Sequence, residues 1–484
     1  MANLANTILG SGMLGLPYAF RGSGYIMGTL LLLTAGFFSS VGLHLLAVCA
    51  KKTQVTHPHI KPSFYSVAHA AVPSFTIVID AAVALKCFGV STGYLITVAD
   101  CMVDLFKYAL DDDSSVLVDR KLWVFVSLVA VTPLSFFRSL DALKFTSSLA
   151  VVFVIFLAAI IVLYSAGISS LDPCGEGGDV EVDDVKNDDD DGICKGSIKS
   201  FTDLQQILAN MSIFIFAFTC HQNIFSVVGE LSPSTMKRVD KVIALSISTA
   251  LSIYMIVSWC GYFTYGDEVK GDILKNYPAN RLISVMRVFI SLLVVFSYPL
   301  QLDPSRRCIM TLIDQIRMKK ESKGGVDTGS NNNTPREEEG ECVSLTKGEE
   351  SGIESAANVP IYYYSVTCSF LLGTFVLAYF IEDLSTILSF VGATGSTAVS
   401  YILPGLIYFK LHTRERKSEG KGLEHLEKSL EHVAMVGVGG DPELVEGDTS
   451  FWTKMSVLQV VLGLVIIPVA LTEIILSIVK PSDD

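Results

Sequence analysis

Stretches of about twenty apolar residues recur along this chain, near residues 4–20, 24–49, 72–106, 122–137, 146–167, 205–229, 242–265, 282–303, 360–381, 384–410 and 454–479. A helix needs about 20 such residues to cross the hydrocarbon core of a bilayer. Only helices and closed barrels satisfy their own backbone groups there. The pattern predicts an all-α polytopic membrane protein with about 11 transmembrane helices. Composition agrees: 50% of the 484 residues are hydrophobic and 18% charged, too apolar a balance for a soluble globular chain.

The first block lacks a basic leader and is punctuated by glycine, so it is expected to be retained as a helix and not cleaved. Almost no extramembrane tail precedes it. Lys and Arg favour the cytoplasmic side. A cytoplasmic N-terminus puts Lys51, Lys52, Lys61, Arg138, Lys144, Lys237, Arg238 and Lys241 there, along with two longer basic stretches after residues 304 and 409. The acidic runs at 111–115 and 178–192 then fall on the outer or lumenal side, as does the C-terminus. On this reading the net charge of −13 reflects solvated loops, and nothing suggests a nucleic-acid partner.

The expected organisation is a helical core over 1–411, a cytoplasmic loop over 412–452, and a last helix with the C-terminus over 453–484. Within the core, 168–200 reads as an acidic lumenal loop and 305–358 as a disordered, low-complexity cytoplasmic loop. Cys174 and Cys194 flank the acidic run. An oxidising lumen permits a disulfide between them, the other reading being two free thiols. The remaining eight of the ten cysteines fit packing roles. They form no CxxC or Cys/His spacing, so no metal site and no cofactor are expected.

Polar groups at bilayer depth are expensive and point to function. In the sixth block, "IFIFAFTCHQNIFSVVGEL", Thr219, Cys220, His221, Gln222 and Asn223 interrupt apolar runs on both sides. A break in the helix there would turn free backbone groups toward a wet cavity, whereas an unbroken helix would use the cluster as polar glue between neighbours. The first block, "ANTILGSGMLGLPYAF", carries Gly10, Gly12, Gly15 and Pro17 and can also unwind. Two broken helices five spans apart point to an inverted repeat, in which half-helix ends serve a ligand bearing both carboxylate and ammonium.

Asp80 and Lys86, six residues apart in the third block, lie on different faces and need not pair. Lys86 could titrate in proton coupling, snorkel, or neutralise a nearby carboxylate. Ser291, Ser297 and Tyr298 are candidate hydroxyl ligands or packing groups, and Arg287 and Glu230 are expected at the interface.

Four motifs together resemble the amino acid/auxin permease family: "NTILGSGMLGLPYAF", "FAFTCHQNIFSVVGEL", "GYFTYGD" and "TILSFVGATGSTAVSYILPGLIYFKL". That family includes sodium-coupled neutral amino acid transporters and fungal vacuolar amino acid transporters, and the "TCHQNIFSVVGE" form looks closer to the latter. The resemblance implies a five-plus-five inverted-repeat fold like that of the bacterial leucine transporter, with helices 1 and 6 broken. It implies that Gly10, Ser11, Gly12 and Met13 hold the substrate carboxylate, with Thr219, Cys220, His221 and Asn223 across the pocket. Asn6, Leu9, Ser297 and Lys86 are the ion-coupling candidates, with Na+ at Asn6 and Ser297 or H+ in its place.

The resemblance thus implies a secondary active amino acid transporter, acting as a monomer in a bilayer. A vacuolar or lysosomal membrane is favoured over the plasma membrane. A sensor that keeps the pocket but transports little is the alternative. An enzyme is not expected, because no HExxH, GxSxG or carboxylate pair stands at a plausible site.

Overall fold

The computed structural model describes residues 4, 7–10, 12–56, 62–110, 115–136, 144–167, 195–231, 234–324, 360–413 and 449–479. The expectations for Asn6, Ser11, Cys174 and Cys194 lie outside the described residues, as do those for most of the long loops. The described residues are mostly helical and contain no strand.

Among the described residues, eight helical stretches are long and apolar enough to cross a membrane. The blocks near 4–20 and 122–137 form shorter helices, and the block near 146–167 lies in a 22-residue helix. In chain order the helices are α1 (Gly12–Ser23), α2 (Tyr25–Thr56), α3 (Phe64–Ala71), α4 (Thr76–Leu110), α5 (Arg120–Ser135) and α6 (Lys144–Ser165). They continue with α7 (Leu204–Ala217), α8 (Ile224–Glu230), α9 (Met236–Tyr265), α10 (Arg281–Gly324), α11 (Pro360–Phe380), α12 (Leu384–Val391) and α13 (Thr449–Val479). Helix α10 runs to Gly324, well into the stretch that the sequence suggested was a disordered loop from 305 onward. Its Lys, Arg, Glu, Gln and Met residues are good helix formers, so a helix already nucleated in the bundle propagates through them.

Burial separates the inner helices from the outer. Of the most apolar stretch of α4, 78% is buried within the protein, against 22% for α13. Helix α4 packs along α10, α1 lies between α7 and α9, and α12 reaches both α4 and α7. The long apolar side chains that α13 leaves uncovered, such as Val461, Leu464 and Val465, suit contact with lipid.

Helix α12 continues through two π-helical turns, Gly392–Ser396 and Ala398–Ile402. In the first, Thr397 Oγ1 donates to the Gly392 carbonyl at 2.7 Å. The "GATGS" glycines make this path possible. A Cβ at Gly392 would collide with the Ser212 carbonyl of α7, and one at Gly395 would lie 2.9 Å from the Lys86 backbone nitrogen of α4.

At one end of the bundle, the segment between α9 and α10 folds over α1 and α4. Arg21 donates to the Val269 carbonyl at 3.1 Å, and Gly271 presses on Asp383, the N-cap of α12. Lys275 and Arg120 grip the two oxygens of buried Asp100 at 2.7 and 3.0 Å. Arg287 corrects an expectation: it is buried, not interfacial. Asp104 at 3.1 Å and the Leu274 carbonyl at 3.0 Å offset its desolvation.

In the same segment, burial pushes the Asp272 carboxyl up to about 7. The Leu274 amide and Lys275 oppose that shift, and Asp100 and Asp104 reinforce it. An unfolded aspartate releases its proton near its ordinary value of 3.8, so between that pH and about 7 the folded chain holds a proton that the unfolded chain has lost. Asp272 therefore makes stability fall as pH rises through this window. Asp272→Asn is expected to flatten the pH dependence of the thermal midpoint in detergent between about pH 4 and 7. In the same assay, Gly392→Ala is expected to destabilise by about 1–3 kcal/mol through overpacking against Ser212.

Candidate functional site

The polar cluster of the sixth block marks an interruption. Helix α7 ends at Ala217, a single 3-10 turn spans His221–Asn223, and α8 begins at Ile224. On the first block the chain bends at Leu9 and Gly10 before α1 starts at Gly12. Both interruptions release backbone groups that would be costly without partners inside a membrane.

Tyr254 of α9 answers this from between the two. Its hydroxyl lies against the Ile8 carbonyl and is 2.9 Å from the Ala217 carbonyl. With one proton to donate, it serves one carbonyl at a time. Ser39 of α2 donates to the Phe218 carbonyl at 2.9 Å. The Thr219 hydroxyl donates to the Ile215 carbonyl at 2.8 Å and accepts from Ser400 at 3.1 Å. Asn223 reaches across to the Thr7 hydroxyl, so a side-chain bond joins the two interrupted segments.

Between them lies a small cavity. Thr7, Ile8, Gly10 and Gly12 line it from the first segment, and Phe216, Ala217 and Thr219 from the sixth. Lys86, Val90 and Tyr94 of α4 and Gln301 of α10 complete the wall. The first wall packs closely: a Cβ at Gly10 would lie 3.1 Å from the Tyr94 hydroxyl, and one at Gly12 would lie 3.0 Å from Ala217 Cα. Lys86 Nζ donates to Gln301 Oε1 at 3.3 Å. The N-terminus of α1 opens beside this space, where its first amides favour an anionic group.

The structure thus brings Gly10, Gly12, Thr219 and Lys86 to one cavity. Leu9, Met13, Cys220 and His221 are buried, but their side chains do not line it. His221 lies so close to α2 that a Cβ at Gly42 would sit 2.7 Å from its Nε2. Asn223 acts through Thr7. Ser297 borders a different, smaller space between α6 and α10, with Leu149, Phe153 and Leu293. Asp80 and Lys86 do not pair, in line with their separate faces.

Sequence reasoning missed Thr7, Tyr94, Tyr254 and Gln301. Gln301 had a signal: it is an amide in an apolar run, between Pro299 and Pro304. The tyrosines had none, because an aromatic in an apolar block reads as packing.

Residues 1–436 match the family described as transmembrane amino acid transporter protein. The chain belongs to this family. It is similar to vacuolar amino acid transporter 6 of Saccharomyces cerevisiae, at 30% identity over 86% of this chain and 90% of that one. It is 32% identical to vacuolar amino acid transporter 5 of Schizosaccharomyces pombe, over 84% of this chain and 82% of that protein. A solved structure of a manganese transporter from Eremococcus coleocola aligns over 97% of this chain and 94% of its own, with 10% identity and a TM-score of 0.41, too distant to carry an argument. Family membership makes this chain a multi-pass transmembrane transporter protein and not an enzyme.

Tyr254→Phe is expected to leave the carbonyls of Ile8 and Ala217 without their shared donor. The thermal midpoint in detergent should fall, by the equivalent of about 1–3 kcal/mol for a buried acceptor left unsatisfied.

Proposed function

We propose that this chain is a secondary active transporter that carries amino acids across a vacuolar or lysosomal membrane by alternating access. The observation that carries the reading is the cavity between the two interrupted segments, walled on one side by Gly10 and Gly12 and on the other by Ala217 and Thr219. An amino acid presents a carboxylate and an ammonium together. The amides at the start of α1 suit the first, and carbonyls released near Ala217 suit the second.

In this reading the chain crosses the membrane eleven times from a cytoplasmic N-terminus. The two interrupted helices occupy matching places in a five-plus-five inverted repeat, whose halves rock about the site. The vacuolar assignment is supported by the names of the similar yeast proteins. The coupling ion is H+ or Na+, with Asn6 and Ser297 the candidate ligands for sodium and Lys86 the candidate for a proton.

Counterflow of labelled amino acids in proteoliposomes tests this. Exchange is expected, and replacing sodium by choline at two pH values identifies the driving ion. No exchange under any ion gradient would refute transport. Gly12→Val is expected to abolish exchange while the protein still reaches its membrane, because the added methyls meet Ala217 and Phe216 across the cavity. Wild-type exchange in that variant would refute the site.

A further inference from the structure

We propose that Lys86 forms an anion-recognising subsite in the central cavity, and that it selects amino acids with acidic side chains over those with basic ones. This rests on the reading that the cavity carries an amino acid, and it adds the class of side chain.

Lys86 is 2% exposed and its side chain forms part of the cavity wall. An ammonium has three protons to donate. The Gln301 amide oxygen takes one of them, over a long 3.3 Å. Among the described residues no carboxylate lies within ion-pair distance of it. Asp80, the nearest acid before it on α4, is buried against Cys308. The other side-chain polar groups on the cavity wall are the hydroxyls of Thr7, Tyr94 and Thr219 and the Gln301 amide, none of them anionic.

The direction of Lys86 is held by its backbone. Gly395 packs so close that a Cβ there would lie 2.8 Å from Lys86 Cβ and 2.9 Å from its nitrogen. The side chain thus leaves α4 from a fixed point. A cation held in a low-dielectric cavity without a counter-ion is poorly solvated, and a ligand carboxylate placed there supplies the missing charge. The α-carboxylate belongs at the start of α1 in the reading above. Lys86 and Gln301 stand on α4 and α10, so they are left for the ligand's other end. A basic side chain would set a second cation against the buried ammonium.

The test is exchange by the full chain in proteoliposomes, with aspartate, glutamate, glutamine, lysine and arginine as competing substrates at fixed pH. The expected result is a kcat/KM for the acidic amino acids at least about 10-fold above that for the basic ones, a gap of about 1.4 kcal/mol. Lys86→Gln should lower the ratio of glutamate to glutamine kcat/KM by a similar factor. A wild type that treats basic substrates as well as acidic ones overturns the proposal, and this result needs no variant to fold. An unchanged glutamate-to-glutamine ratio in Lys86→Gln also overturns it. If that variant loses its response to a pH gradient while its glutamate-to-glutamine ratio stays unchanged, Lys86 serves proton coupling and the proposal is overturned. Failure to exchange any amino acid refutes the transport reading by itself. The subsite is then decided by thermal stabilisation of the purified wild type: a larger shift with glutamate than with lysine supports it, and equal or absent shifts overturn it.

Discussion

Everything about this site depends on how a helix can be interrupted where no water is available to its backbone. A carbonyl released inside a membrane must meet a donor from the protein. Here one tyrosine hydroxyl, on Tyr254, stands between the carbonyls of Ile8 and Ala217, one from each interrupted segment. Ser39 takes the next carbonyl along, that of Phe218, and Asn223 ties the far side of the break to Thr7. The breaks are therefore joined structures, and the cavity is the space that their joining leaves open. The same bonds fix α9 to the first and sixth segments, so movement of either segment must carry α9 with it or exchange the shared proton.

A second constraint is close approach. Helix α12 runs against both α4 and α7, and at Gly392 and Gly395 there is no room for a side chain. The π turns at the same place widen the helix and shift its register, a distortion often found at functional positions. The result is mechanical: the backbone that carries Lys86 is clamped from behind, and its side chain forms wall on the cavity side. Ser400, just after this contact, reaches the Thr219 hydroxyl, so α12 also braces the interrupted sixth segment.

At one end of the bundle the order is set by charge. Asp100 holds both Arg120 and Lys275, and Asp104 faces Arg287, which also donates to a backbone carbonyl. Such pairs gain little over apolar packing, but losing one partner strands a buried charge. The segment between α9 and α10 is thereby pinned over α1, α4 and the start of α12.

The sequence carried the class of protein plainly. Twenty-residue apolar blocks admit only membrane helices, and "TCHQN" inside one of them marked where a helix stops. The glycines of the first block marked a place that can unwind, and the chain does bend at Leu9 and Gly10. The linear pattern also located Lys86 as an anomaly. What it could not supply was partnership. Cys220 and His221 share their turn with Thr219, yet only Thr219 lines the cavity, because the other two turn into packing. Arg287 read as interfacial and is interior, since its counter-charge comes from a helix far away in sequence. Tyr254 and Gln301, distant from both motifs, meet the interrupted segments and Lys86 only in three dimensions. Depth and interruption follow from the local balance of apolar and polar groups, which sequence records. Which side chain satisfies a freed carbonyl or a buried charge depends on packing between helices, and only the tertiary structure decides it.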